Sequence, residues 1–214
     1  MQEFFCQTIA DQRLTKWDSN PNVLDVRRDC QEEENNERHI ETTVEERKKI
    51  LKIALKSPYL WELMCFSIYS GLRRNREFRL RWDQVFLDDE VPFYSISKDK
   101  NGESNRVPFS PQAIEVLNAC LQVKSDFIPW VFYNPLTNKP YDNVDKAFQA
   151  VVTEVGRPDL RWHDLRHIFC TLVADTGVGL YDLMSVSGHK DPKMAIRYIN
   201  RAIINRQRIV ANLQ

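Results

Sequence analysis

The chain has no net charge, no paired cysteines and no long apolar run; the last two close off classes of protein, and the first weighs only weakly against one. Thirty basic side chains balance thirty acidic ones over 214 residues. The overall basic excess that usually marks a nucleic-acid-binding domain is therefore missing. The five cysteines, Cys6, Cys30, Cys65, Cys120 and Cys170, are odd in number and form no Cys-x-x-Cys pair. Neither a disulfide framework nor a zinc site fits that spacing. They read as small buried hydrophobes in a reducing compartment. No apolar run approaches the roughly 20 residues of a membrane span. The opening MQEFFCQTIADQ has neither the basic n-region nor the continuous apolar h-region of a signal peptide. There is no internal repeat, and no clustered set of carboxylates of the kind a two-metal nuclease needs. The expectation is a cytoplasmic protein that uses no metal and no cofactor.

What is present is ordinary in amount and unusual in arrangement. With 43% hydrophobic and 28% charged residues the chain can bury a real core, as one domain or one domain with an appendage. Its charge is segregated. From Asp29 to Glu46 there are eight acids and one arginine, a net of −7. SGLRRNREFRLRW, Ser70 to Trp82, holds five arginines against the single acid Glu77. From Arg157 to Gln214 nine basic residues face five acids, a net of +4. A neutral total can thus hide a basic face.

The periodicity predicts a mainly α protein with one small antiparallel β-sheet, an α+β fold. Residues 1–20 read as a helix, and Val23 to Ile40 as a polar linker or arm outside the core. Thr43-Val44-Glu45-Glu46 is a capping-box pattern opening a helix through Ile50, Leu51, Ala54 and Leu55. Ser57-Pro58 starts another, carrying Leu60, Leu63, Met64 and Ile68, and Gly71 breaks it. Phe93–Ser97 and Arg106–Phe109 read as strands around an Asn101-Gly102 turn. Ser110-Pro111 opens a helix through Ile114, Leu117 and Leu121. A helix from Asp142 carries Val144, Ala147, Phe148, Val151 and Val152. One from His163 or Asp164 holds Leu165, Ile168, Phe169 and Leu172, with Gly177 suited to its end. Asp191-Pro192 starts a short helix to Tyr198, and a last amphipathic helix runs from about Ala202 to Leu213. The domain division is 1–41 and 42–214.

Four short signals carry chemistry. His163 and Arg166, three apart, share a helix face. An imidazole beside a guanidinium suits a phosphate, because the fork binds two oxygens while the ring handles a proton. Gly188-His189 stands nine residues before Tyr198. Lys100 precedes the Asn-Gly turn, at the tip of the hairpin. Each has a plainer reading. His163 and Arg166 can be incidental polar residues at a surface helix start, and His189 can simply close a helix. Tyr198 can be the core tyrosine of MAIRYIN, and Lys100 a solvated lysine that keeps an edge strand soluble.

The joint order is more specific than any one signal. Arg73 in SGLRR, Lys100 in KNGESNRVPFSP, His163 and Arg166 in HDLRH, His189 in GH and Tyr198 in RY follow one another in one chain. Together they resemble the catalytic domain of tyrosine recombinases of the phage-integrase type, over about Thr42 to Tyr198. That resemblance implies a tyrosine-recombinase catalytic fold and a reaction. Tyr198 attacks a DNA phosphodiester, forming a 3′-phosphotyrosyl bond and releasing a 5′-hydroxyl. Arg73 and Arg166 clamp the non-bridging oxygens, and His189 bonds the phosphate. His163 acts as general base or orients the tyrosine, and Lys100 protonates the leaving oxygen. The chemistry is coherent without metal or ATP. Preorganised donors stabilise the charge of the phosphoryl transition state, and a covalent intermediate conserves the phosphodiester. The implied partners are double-stranded DNA at attachment or inverted-repeat sites, further copies of the chain in a synaptic tetramer, and accessory DNA-bending proteins. A prophage or other mobile element is the implied setting.

Two departures stand out. The family places an acid three residues after the first arginine; here that residue is Arg76, and Glu77 comes one later. Either Glu77 substitutes, since i+4 also lies on the Arg73 face of a helix, or Arg76 makes a phosphate or acid contact of its own. Only about forty residues precede Thr42, which reads as the remnant of a core-binding domain plus an acidic linker. The alternatives are a short invertase-type recombinase, a DNA-binding module of the same fold with impaired catalysis, and a helical interaction protein that never meets DNA.

Overall fold

The computed structural model describes residues 40, 42–96 and 105–211. The expected helix over 1–20, the Asn101-Gly102 turn and Lys100 lie outside the described residues. Within them the α+β expectation holds. Helix α1 (Val44–Ala54) opens on the capping box: Glu46 N donates to Thr43 Oγ1 at 3.0 Å and Thr43 N to Glu46 Oε2 at 2.8 Å. Helix α2 (Pro58–Ser70) starts on the proline and buries nearly its whole length, which makes it the central strut. It packs on α1, on α4 (Pro111–Gln122) and on α6 (Trp162–Asp175). Gly71 ends it at φ +62°, and a Cβ there would meet the Phe169 ring at 2.1 Å. Turn geometry and close packing both demand glycine at this point.

A five-residue helix, α3 (Arg74–Phe78), and a 3₁₀ turn at Trp82–Gln84 lead into the antiparallel sheet of β1 (Val85–Phe86), β2 (Phe93–Ile96) and β3 (Asn105–Pro108). Tyr94 pairs with Val107 and both face the core. Phe93 lies between the stacked ring of Phe86 at 4.7 Å and the Arg106 guanidinium at 4.6 Å. A second small sheet pairs β4 (Tyr133–Asn134) with β5 (Lys139–Pro140). Helix α5 (Asp145–Val155) begins later than expected, because Asn143 Oδ1 takes the Asp145 amide at 2.7 Å and holds the approach as a turn. Helix α7 (Leu180–Ser187) precedes α8 (Pro192–Ala211).

Three expectations are corrected. The two C-terminal helices are one: α8 is continuous through Asn200, since neither glycine nor proline interrupts Lys193–Gln214 and Ala195, Tyr198 and Ala202 hold a single buried face. On α4 the core face is Ala113, Val116, Leu117 and Cys120, which leaves Leu121 40% exposed. Ile40, read as the end of the polar arm, is buried in the main core.

The core divides in two. A large cluster built around α2 takes in Phe66, Phe132, Phe148, Trp162, Leu165 and Ile168. A small one under α8 consists of Cys170, Ala174, Leu183, Ala195, Tyr198 and Ala202. Helix α6 runs through both. Among the described residues no helix is long and apolar enough to cross a membrane.

Candidate active site

The arginine-rich stretch is dispersed by its own backbone. Arg73, held in extended conformation at the N-cap of α3, reaches the Gly188 carbonyl at 3.5 Å. Arg74 pairs with Asp145 at 2.8 Å and lies 5.2 Å over Phe78. Arg76 lies within electrostatic range of the Tyr94 phenol. Arg79 faces Asp142 at 3.7 Å, and Arg81 binds Asp83 at 3.0 Å. Only Arg73 of the five turns toward α7 and α8. Leu80 is buried between the outward Arg79 and Arg81, as strand-like alternation requires.

Glu77 is fully buried and accepts from Ser67 Oγ at 3.0 Å and Trp162 Nε1 at 3.4 Å. The expected partnership with Arg73 is therefore corrected: the acid ties α2 to the start of α6 instead. Burial raises its pKa to about 8 against the opposing bonds from Ser67 and Trp162.

Helix α6 presents its chemistry from the first turns. Asp164 Oδ2 accepts the Arg161 amide at 2.7 Å and caps the helix. Leu165 and Ile168 point into the large cluster. Arg166, also buried, donates from Nη1 to the carbonyl of Gly71. The two arginines thus brace reciprocal hinges: Arg166 the glycine two residues before Arg73, and Arg73 the glycine next to His189. His163 stands half-exposed with its ring edge-on to His167, centroids 4.9 Å apart.

Tyr198 is 9% exposed, drawn inward with Ala195 and Ala202 on the buried face of α8. Its hydroxyl hydrogen-bonds two side chains. His167 Nδ1 contacts it directly. Arg197 Nη2 donates to it at 3.1 Å, with the guanidinium 4.9 Å over the ring. The Cys170 thiol lies within electrostatic range of the phenol. Burial, and next the Cys170 thiol, push the phenol above its usual pKa, while Arg197 and Arg166 pull it down. The His189 ring stacks on Tyr198 at 6.1 Å.

The tautomer of His189 follows from counting protons. Ser187 Oγ lies 2.6 Å from the Leu183 carbonyl and 2.7 Å from His189 Nδ1. A carbonyl can only accept, so the one hydroxyl proton goes to Leu183 and Nδ1–H must donate to Ser187. Neutral His189 therefore carries its lone pair on Nε2. Burial, then Arg166 and Arg73, lower its pKa to about 3. His167 is lowered to about 3 as well, by burial first and then His163 and Arg197.

Of the residues singled out from the sequence, Arg73, His163, Arg166, His189 and Tyr198 converge on the junction of α6, α7 and α8. Lys100 lies outside the described residues. Three participants were not picked out: His167, Arg197 and Tyr94, whose phenol feels Arg76, Arg166 and Arg73. His167 stands four residues after His163, a same-face spacing that was available as a signal. Arg197 and Tyr94 left none. The arrangement offers an oxygen nucleophile, neutral imidazoles beside it and cations that can receive a phosphate.

The profile of the phage integrase family matches residues 40–203. The integrase of Salmonella phage P22 is 25% identical over 149 residues, covering 64% of this chain and 38% of the phage protein; the chain thus spans well under half of that relative. Among solved structures, XerA recombinase superposes with a TM-score of 0.66 at 16% identity, over 82% of this chain and 64% of the other. XerH recombinase, bound to a palindromic difH substrate in a post-cleavage complex, gives 0.63 at 19%, over 80% and 52%. At these identities the likeness is one of fold.

Proposed function

The chain belongs to the phage integrase family, and from that premise we propose that it carries the catalytic unit of a tyrosine-type site-specific DNA recombinase. The observation that carries the reading is the Tyr198 hydroxyl set between His167 and Arg197, with Arg73, Arg166 and His189 gathered around it. Residues 42–214 form the catalytic domain.

In the proposed reaction Tyr198 Oη attacks a DNA phosphorus. The phosphotyrosyl bond forms as the bond to the 5′-oxygen breaks. Arg73 and Arg166 hold the non-bridging oxygens, where a preorganised donor is worth the most. Burial first, then the Arg166 and Arg73 charges, keep His189 neutral, and the incoming phosphate offsets those charges. As DNA binds and before the chemical step, Nε2 takes a proton from solvent and becomes a donor, while Nδ1–H stays on Ser187. Lys100 supplies the proton of the leaving 5′-oxygen. Rejoining reverses these steps, so the exchange needs neither metal nor ATP. Duplex DNA at attachment or inverted-repeat sites is the substrate. Copies of the chain assemble on it as a tetramer with accessory DNA-bending proteins, in the cytoplasm of a cell carrying the mobile element.

The test uses a pool of duplexes with randomised sequence and a nick one base from the scissile position, so that cleavage releases a diffusible fragment and traps the adduct. The unaltered chain is expected to yield a covalent protein–DNA species, and Tyr198→Phe none. Retained duplex binding with no adduct from the unaltered chain would favour the binding-module reading.

A further inference from the structure

His167 rather than His163 touches the nucleophile. We propose that His167 Nδ1 accepts the proton of Tyr198 as the phenol attacks, an assignment that rests on the strand-transfer reading above. The hydrogen-bond directions around the phenol point this way. Arg197 can only donate, so the bond from its Nη2 at 3.1 Å occupies a lone pair of Tyr198 Oη and leaves the phenolic proton free to be given away. Two neighbours can take it. Cys170 is fully buried, and its thiol, which burial holds protonated up to a pKa of about 11, is a weak acceptor. His167 Nδ1 is a strong one, provided that it carries no proton.

The surroundings keep it that way. The ring is buried and faces His163 on its own helix and Arg197 on α8, with Arg166 and His189 also within electrostatic range. Burial and the two guanidinium charges oppose an extra charge while DNA is absent. When the phenol oxygen bonds to phosphorus, the proton moves to Nδ1 and Arg197 steadies the charge passing through Oη. The 5′-oxygen takes a separate proton from Lys100, so bonds and protons balance: one P–O bond forms, one breaks, and one proton is lost and one gained. The phosphate being bound supplies the negative charge that makes an imidazolium at His167 acceptable at that moment and not before. His163, edge-on at 4.9 Å, fixes the ring plane of His167.

The test compares His167→Asn with the unaltered chain. It uses a nicked duplex recovered from the adduct pool, under single turnover, with tyrosine or the more acidic 3-fluorotyrosine at position 198. Asparagine Oδ1 can still accept the phenol's hydrogen bond but cannot carry its proton away. Cleavage is expected to fall by about 10²-fold or more with tyrosine. The deficit should shrink to less than about tenfold with fluorotyrosine, because a more acidic nucleophile needs less help. An equal deficit with both nucleophiles, or none with tyrosine, overturns the assignment. A measurement on the unaltered chain guards against a misfolded variant. Imidazole ¹⁵N shifts are expected to show His167 with a bare Nδ1 and a protonated Nε2; a protonated Nδ1 overturns the proposal. Failure of the unaltered chain to form any adduct overturns the strand-transfer reading itself, and this inference with it.

Discussion

The two apolar clusters that meet along α6 are built from opposite materials. The large one is rich in Phe, Trp, Leu and Ile around a nearly fully buried α2, and the acids Glu62, Glu77 and Asp164 are buried on its helices. The small one is mostly Ala and Cys, with Leu183 and Tyr198. It is flanked by two buried imidazoles, His167 and His189. Bulky side chains lock helices at one fixed distance, whereas small ones let α6, α7 and α8 approach so closely that a phenol, two imidazoles and two guanidiniums share one junction. On the proposed reading one cluster positions and the other reacts, with Arg166 at their boundary. Burial moves the Glu77 pKa up and those of His167 and His189 down.

The strongest way to break this division is at the boundary. Arg166→Ala removes the proposed clamp and the donor to Gly71 O. Single-turnover cleavage of a recovered nicked duplex is expected to fall by about 10²–10³-fold, measured beside duplex affinity, which should change far less because it is spread over many phosphate contacts. Comparable losses in both would mean that Arg166 is an ordinary binding residue.

The next effect concerns charge. Glu77 has its folded pKa raised from 4.5 to about 8, so between those values the folded state binds more protons than the unfolded one. Stability must then fall as pH rises from about 4.5 to 8, by on the order of a few kcal/mol. The histidines act with the opposite slope. Their pKa values are depressed from 6.5 to about 3, so their contribution is present above pH 6.5 and is lost as pH falls toward 3. The windows overlap from about 4.5 to 6.5, where two histidines outweigh one acid, so denaturant titrations across pH should show a maximum near 6.5. Glu77→Gln is expected to remove the fall above that maximum and leave the rise below about 4.5 unchanged. An unchanged alkaline slope would place the titrating group elsewhere.

The smallest effect is at the surface. Arg79 and Asp142 are 3.7 Å apart and largely exposed, so Arg79→Ala should alter melting by less than about 1 kcal/mol. It should leave cleavage untouched, unlike Arg73 six residues earlier. A large loss of cleavage there would show that the outer arginines of the stretch also work at the phosphate.

Local signals were readable where a side chain bonds its own neighbourhood. The Thr43–Glu46 capping box, the Ser110-Pro111 start and the αL turn at Gly71 all stand as the residues suggest. The two-residue strands β1, β4 and β5 were not, because two residues have no period. Helix α7 was missed between Gly179 and Gly188, whose breaking signals outweigh eight residues of pattern. The same holds for the site. Arg73, His163, Arg166, His189 and Tyr198 are legible as a series in order. The bond from His167 to Tyr198 spans 31 residues, and only the packing of α6 on α8 creates it. Glu77 shows the limit of helix-face reasoning. The i+4 rule assumes a continuous helix, but Arg73 is an extended N-cap residue, so its side chain and that of Glu77 diverge.

The most direct test of a nucleophile housed in the small cluster and served by cations from the large one is to map the trapped adduct. Proteolysis and mass spectrometry of the covalent species are expected to place a 3′-phosphoryl oligonucleotide on Tyr198, with a free 5′-hydroxyl on the released strand. DNA attached to any other residue, or a 5′-phosphoryl linkage, would contradict the account.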